Sequence, residues 1–125
     1  MKYNHCYVIH YTKLISRKNF LDVQLSTVGL QGNYITEFDQ EDLTSQIVDQ
    51  FYEKNPQIHD SKIEKLWDPS VHTYRELKIP EISCTIKHFE ALRLIAESQE
   101  DYGLILEDDV VFRKGFVEEF DRCLS

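Results

Sequence analysis

Hydrophobic and polar positions along the chain switch between the period of a strand and that of a helix. Cys6-Tyr7-Val8-Ile9-His10-Tyr11 is rich in aromatic and β-branched residues and predicts a first strand. From Leu14 to Val28, the residues Leu14, Ile15, Phe20, Leu21, Leu25 and Val28 approximate helical spacing, with Thr12 or Ser16 as cap and Gly29 as stop. Asn33 to Phe38 predicts a second strand. Strand, helix and strand within about 30 residues form a βαβ unit, which implies parallel strands and a right-handed crossover. Residues 39–80 are the least regular and are punctuated by Pro56, Pro69 and Pro80. Leu43, Ile47, Val48 and Phe51 suit one helix there, capped by Asp42 or Thr44. Ile63, Leu66 and Trp67 suit a short second one, with Trp67 as a core or lid anchor.

The clearest helix runs from Ile82 to Ser98. Ile82, Ile86, Phe89, Leu92, Ile95 and Ala96 form its apolar stripe, and Ser83 is placed to start it. Tyr102 to Leu106 is a short apolar run and predicts a buried strand. Phe116, Val117, Phe120 and Leu124 predict a closing helix. No internal repeat or low-complexity tract interrupts the series.

Composition narrows the class. A chain of 125 residues, 42% hydrophobic and 29% charged, is the size and make-up of one ordinary globular domain. Its formal charge of −8 argues against non-specific nucleic-acid binding, which needs clustered Lys and Arg. Cys6, Cys84 and Cys123 are odd in number and lack a CxxC pair, so they read as reduced thiols and neither as a zinc site nor as a disulfide framework. No run approaches the roughly 20 apolar residues of a membrane span, and Cys6 to Tyr11 is too short and polar for a signal peptide. The expected location is cytoplasmic, or the secretory lumen if a signal or anchor precedes or follows the chain.

Chemistry concentrates after the last predicted strand, where Glu107, Asp108 and Asp109 follow one another. In open α/β sheets ligands bind beyond the carboxyl ends of the strands. Three adjacent carboxylates repel each other there, and a divalent cation relieves the repulsion; hard oxygen ligands suit Mg²⁺ or Mn²⁺. An acidic triplet that only solvates a loop is the bland alternative. An EF-hand fits poorly, because a loop starting at Glu107 puts Phe112 where the turn needs Gly. Strand alternation, if the strand extends so far, sets Glu107 and Asp109 on one side and Asp108 on the other. Arg17 and Lys18 lie early in the first helix, where a cation reaches ligand beyond the first strand; a solvated helix face is the plainer role. His10 reads as a core or edge histidine. Lys87 and His88 flank the stripe of the clearest helix, and packing is the safer role for His88.

Three blocks together resemble glycosyltransferase family 25, which includes bacterial lipooligosaccharide glycosyltransferases and collagen galactosyltransferases. Tyr7-Val8-Ile9-His10 through Arg17 is similar to the family's opening V-I-N-L strand and following arginine. Glu81 to Leu92 is similar to its G-x-x-x-C-x-x-S-H helix, aligned through Cys84 and His88. Leu104-Ile105-Leu106-Glu107-Asp108-Asp109-Val110 matches its I-L-E-D-D motif and is the most specific of the three. Lys87 stands where the family usually has Ser, and His10 where it usually has Asn. Residues 39–80 match nothing and read as a variable insert.

The resemblance implies a Rossmann-like GT-A fold, an α/β/α sandwich with a mostly parallel sheet, occupying residues 1–125 as one domain. It implies metal-dependent transfer of a sugar from a nucleotide sugar, UDP-linked by analogy, to a glycan or protein acceptor. Carried over, Asp109 is the first candidate metal ligand and Glu107 the second, for Mn²⁺ or Mg²⁺. His10, Arg17, Lys87, His88, Glu107 and Asp108 are the candidate nucleotide-sugar contacts, and no catalytic base is identified. GT-A domains usually run longer, so the expectation is a truncated, donor-binding portion with weak transfer activity and a tendency to self-associate. A non-catalytic nucleotide- or partner-binding module of the same fold is the rival reading. A metal-dependent phosphotransferase or hydrolase is a third, for which no nucleophile motif is visible.

Overall fold

A computed structural model describes residues 3–53 and 76–125. Ile63, Leu66 and Trp67 lie outside the described residues. The chain runs β1 (Tyr3–Ile9), α1 (Ile15–Val28), β2 (Leu30–Ile35), a 3₁₀ turn (Gln40–Asp42), α2 (Ser45–Phe51), α3 (Ile79–Glu97), β3 (Leu104–Glu107) and α4 (Phe116–Leu124). The three strands form a parallel sheet in the order β2-β1-β3. This is the expected α/β architecture with a parallel sheet.

The order follows from the handedness of crossovers. From β1 the chain passes through α1 to β2 on one side of the sheet. It then returns across β1 to β3 on the other side, by way of α2 and α3. Right-handed crossovers in opposite directions put their helices on opposite faces. Two apolar layers result. Cys6, Val8, Leu21, Leu25 and Leu30 pack on the α1 face with Leu104 and Leu106, whereas Ile9, Ile35 and Ala91 pack on the α3 face with Tyr7 and Ile105. Alternate residues of β1 and β3 thus serve the two layers, as the strand period requires. A third cluster, Val48, Ile82 and Ile86, seats α2 against α3.

Several boundaries differ from the sequence expectation, each for a local reason. β1 stops at Ile9 rather than Tyr11. The second strand is Leu30–Ile35, not Asn33 to Phe38, because α1 ends on Gly29 in the left-handed region (φ 74°) and the chain pairs with β1 immediately. Thr12 does not cap α1; its hydroxyl donates to Asp39. Ser16 lies inside α1 rather than at its cap. Thr44 caps α2, accepting from the Ile47 amide at 3.2 Å. α3 begins at Ile79 with Pro80 in its first turn, where the missing N–H costs nothing, and Glu81 accepts from the Lys78 amide at 2.7 Å. Ser83, expected to start this helix, is buried inside it and donates to the Phe38 carbonyl at 2.6 Å. The buried stripe of α3 is Ile82, Ser83, Ile86, Lys87 and Ala91, while Phe89 and Leu92 are exposed. Polar residues therefore occupy positions that hydropathy assigns elsewhere.

The polar part of that stripe is a buried knot. The Lys87 side chain is 2% exposed, and its ammonium donates to Asp39 Oδ1 at 2.5 Å and to the His10 carbonyl. Asp39 is itself buried and also accepts from the Thr12 hydroxyl and, at 3.4 Å, its amide. Just before it, Phe38 takes a φ of 66°, a left-handed conformation that costs a non-glycine residue about 1–3 kcal/mol and needs surrounding contacts to hold it. Ser83 and the third apolar cluster supply them. The knot joins the end of β1, the loop after β2 and the middle of α3.

Three expectations follow. A Cβ on Gly103 would sit 2.4 Å from Ile95 Cγ1, so Gly103→Ala should lower stability by roughly 1–3 kcal/mol, and adding Ile95→Val should recover part of it in thermal melts. Lys87→Met strands a buried carboxylate and should cost about 3–5 kcal/mol in denaturant titration. Burial disfavours the ionised Asp39, but hydrogen bonds from Lys87 and Thr12 and the Lys87 charge outweigh it, so its pKa lies below the ordinary 3.8. A depressed carboxyl stabilises the fold above its ordinary pKa and loses that contribution as pH falls through the folded value. Stability measured from pH 5 downward should therefore fall, and Asp39→Asn should flatten that acid limb.

Candidate functional site

Strand order reverses at β1, so a crevice opens at the carboxyl ends of β1 and β3, the topological switch point of the sheet. A cleft of about 280 Å³ lies there, lined by Ile9, His10, Tyr11, Leu14, Arg17, Gln40, Pro80, Ser83, Cys84, Lys87 and the three acids Glu107, Asp108 and Asp109. The structure thus brings five of the six candidate nucleotide contacts, together with Asp109, to one concavity. His88 stands beside it, one residue along α3 from Lys87.

Register builds the floor of the cleft. Ile9 pairs with Glu107 as the last rung between β1 and β3, so His10 and Asp108 are the next residues of two adjacent strands. The side chains meet: His10 Nδ1 lies 2.9 Å from Asp108 Oδ2. Both are buried, and the His10 and Tyr34 rings meet in a T-shaped arrangement with centroids 5.4 Å apart. Arg17, on the first turn of α1, donates from one guanidinium nitrogen to Asp108 Oδ1 at 3.3 Å, while half its side chain stays exposed at the cleft.

The three acids therefore occupy two environments. β3 ends at Glu107, and Asp108 and Asp109 form the turn that follows. Asp108 points inward to a histidine and an arginine, whereas Glu107 and Asp109 are exposed. This division agrees with strand alternation carried one step past the strand. Glu107 and Asp109 supply hard oxygen donors on the open side, the donor chemistry that Mg²⁺ or Mn²⁺ takes. Asp108 has both oxygens engaged by side chains.

Two residues of α3, one turn apart, complete the wall. His88 Nδ1 lies 2.9 Å from the Cys84 carbonyl, and its Nε2 lies 3.6 Å from Glu107 Oε1. Cys84 Sγ is 3.9 Å from the same Glu107 oxygen. Burial, followed by the Glu107 charge, raises the Cys84 thiol above its ordinary pKa. Cys6, deep in the sheet, is pushed up to about 11 by burial. All three cysteines are free thiols.

Lys87 lines the cleft, but its ammonium is committed to Asp39 and the His10 carbonyl, so its observed contacts are structural. Asp39 was not among the residues singled out from sequence. It opens an irregular stretch, and its partner lies 48 positions away, so nothing local marks it.

Among the described residues no helix is long and apolar enough to cross a membrane. Comparison with curated proteins gives no significant match. The family model of glycosyltransferase family 25, described as a lipopolysaccharide biosynthesis protein, matches residues 3–125. That match covers the switch-point cleft, the helix carrying Cys84, Lys87 and His88, and the acidic strand end, and the chain belongs to glycosyltransferase family 25.

Proposed function

We propose that the cleft at the ends of β1 and β3 binds the diphosphate of a nucleotide sugar, UDP-linked, through a divalent cation held by Asp109 and Glu107. The chain would thereby serve sugar transfer to a lipopolysaccharide-type glycan. The observation that carries this reading is the split among the three acids. Two carboxylates are exposed on the rim of a cleft at the switch point, and the third is locked behind them by His10 and Arg17.

An acidic chain of net charge −8 does not attract a diphosphate by itself. Bound at the carboxylates, Mn²⁺ or Mg²⁺ would supply the positive charge that neutralises the phosphates and stabilises the departing nucleoside diphosphate as a Lewis acid. The chain's own residues do the rest. The His10–Asp108 contact fixes the turn from which Asp109 projects. Arg17, half exposed and anchored at one end by Asp108, presents its remaining guanidinium donors to anionic oxygens, for which its planar fork is suited. Leu14, Ile9 and Pro80 give the cleft apolar walls against which a base or sugar can lie. The knot around Lys87 holds the α3 wall at a fixed distance from the strand ends.

Calorimetry with UDP tests the reading directly. Mn²⁺ should tighten UDP binding to the wild-type chain, and Asp109→Asn should remove most of that gain. Glu107→Gln should remove part of it, and Arg17→Ala should weaken binding with or without metal. Equal affinity in Mn²⁺ and in excess chelator would count against the proposal.

A further inference from the structure

Cys84, His88 and Glu107 form a side-chain cluster whose chemistry differs from that of the acidic rim. One ligand atom from each lies within 4.8 Å of the other two, and no other such trio of His, Cys, Asp or Glu occurs among the described residues. The Cys84 Sγ–Glu107 Oε1 and His88 Nε2–Glu107 Oε1 separations are 3.9 and 3.6 Å. Bond lengths to zinc of about 2.0–2.3 Å imply tetrahedral edges of roughly 3.3–3.6 Å, so the two edges to Glu107 need only a small contraction, while the Cys84–His88 edge, within 4.8 Å, closes by a turn of the two side chains.

The spacing has a physical origin. Cys84 and His88 are four residues apart in the middle of α3, so they share one helical face. That face is turned toward the end of β3, where Glu107 is the last strand residue. The histidine is also oriented. Its Nδ1 donates to the Cys84 carbonyl at 2.9 Å and lies 3.8 Å from Cys84 Sγ, which leaves Nε2 on the side of Glu107. A backbone carbonyl holding the second ring nitrogen is the usual outer support of a metal-bound histidine.

We propose that these three side chains form a site for a thiophilic divalent cation, Zn²⁺ in kind, distinct in donor chemistry from the all-oxygen rim at Asp109. On binding, the Cys84 thiol releases its proton to solvent as the metal–sulfur bond forms. His88 Nε2 and a Glu107 oxygen complete three positions. The fourth is left for water or a ligand oxygen, since Cys84 and Glu107 both line the cleft. The ion ties α3 to the end of β3, two elements otherwise joined there only by side-chain contacts, and so stabilises the folded chain by mass action. A sulfur–nitrogen–oxygen set selects against Mg²⁺ and Mn²⁺, which separates this site from the proposed diphosphate site even though Glu107 belongs to both.

The test uses the metal alone, without nucleotide. Co²⁺ added to the wild-type chain should give a thiolate-to-cobalt charge-transfer band, and one equivalent of Zn²⁺ should abolish it while excess Mg²⁺ does not. Zn²⁺ should also raise the thermal midpoint. Changes in the outer shell of zinc sites alone weaken binding about 10–100-fold, so loss of a direct ligand in Cys84→Ser or His88→Ala should cost at least that much in chelator competition. Cys123→Ser, in the exposed last helix, should keep the band. Absence of the band in the wild type, its survival in Cys84→Ser, or unchanged zinc affinity in His88→Ala would each overturn the proposal. Because His88→Ala keeps the thiol and alters a part-exposed position, it decides the matter even if Cys84→Ser folds poorly.

Discussion

A buried ammonium cannot stand alone, and the way Lys87 is satisfied constrains the rest of the molecule. Its partners, Asp39 and the His10 carbonyl, come from the loop after β2 and from the end of β1. Neither is close in sequence, so the ion pair forms only when both crossovers are complete and α3 lies across β1. Breaking a buried pair by removing one partner is costly, whereas a wholly apolar replacement often is not. The pair is therefore better understood as fixing arrangement than as adding stability. It sets the rotation of α3, which turns Ile82, Ile86 and Ala91 into the core and brings Cys84 and His88 to the strand ends.

The same end of β1 organises the acids. His10 offers its carbonyl to Lys87 and its ring nitrogen to Asp108, and so couples the helix wall to the acidic turn through one residue. Three consecutive carboxylates would repel one another if all faced the same space. Directing Asp108 inward to His10 and Arg17 relieves part of that repulsion and leaves Glu107 and Asp109 on the open side. The cost of exposing two like charges on a rim is then modest in water. Lys87 and His10, where family 25 usually carries Ser and Asn, are the two residues of this buried connection. The departures from the family pattern thus sit together in the structure as one coupled unit.

The order of elements, the parallel sheet and the acidic strand end were legible in the sequence, because each has a local signature. An apolar β-branched run marks β1, Gly29 stops α1, and an apolar segment running into Glu107-Asp108-Asp109 marks the end of β3. The strand limits were less legible. β2 begins directly after Gly29, three residues earlier than its own composition suggests, because pairing with β1 rather than intrinsic preference sets where it starts. The stripe of α3 was misplaced for a related reason: Ser83 and Lys87 are polar and buried, whereas Phe89 and Leu92 are apolar and exposed.

By itself the sequence determined the α/β class, the family and the position of three consecutive acids at the end of β3, since these depend on residue type and short spacing. Only the tertiary structure decided which acid is locked and which are open, that Asp39 is the counter-ion of Lys87, and that Cys84 and His88 meet Glu107. Those facts depend on the register of β1 against β3 and on the rotation of α3 about its own axis. Both are set by contacts between residues 23–98 positions apart, and no pattern within a window of the chain encodes them.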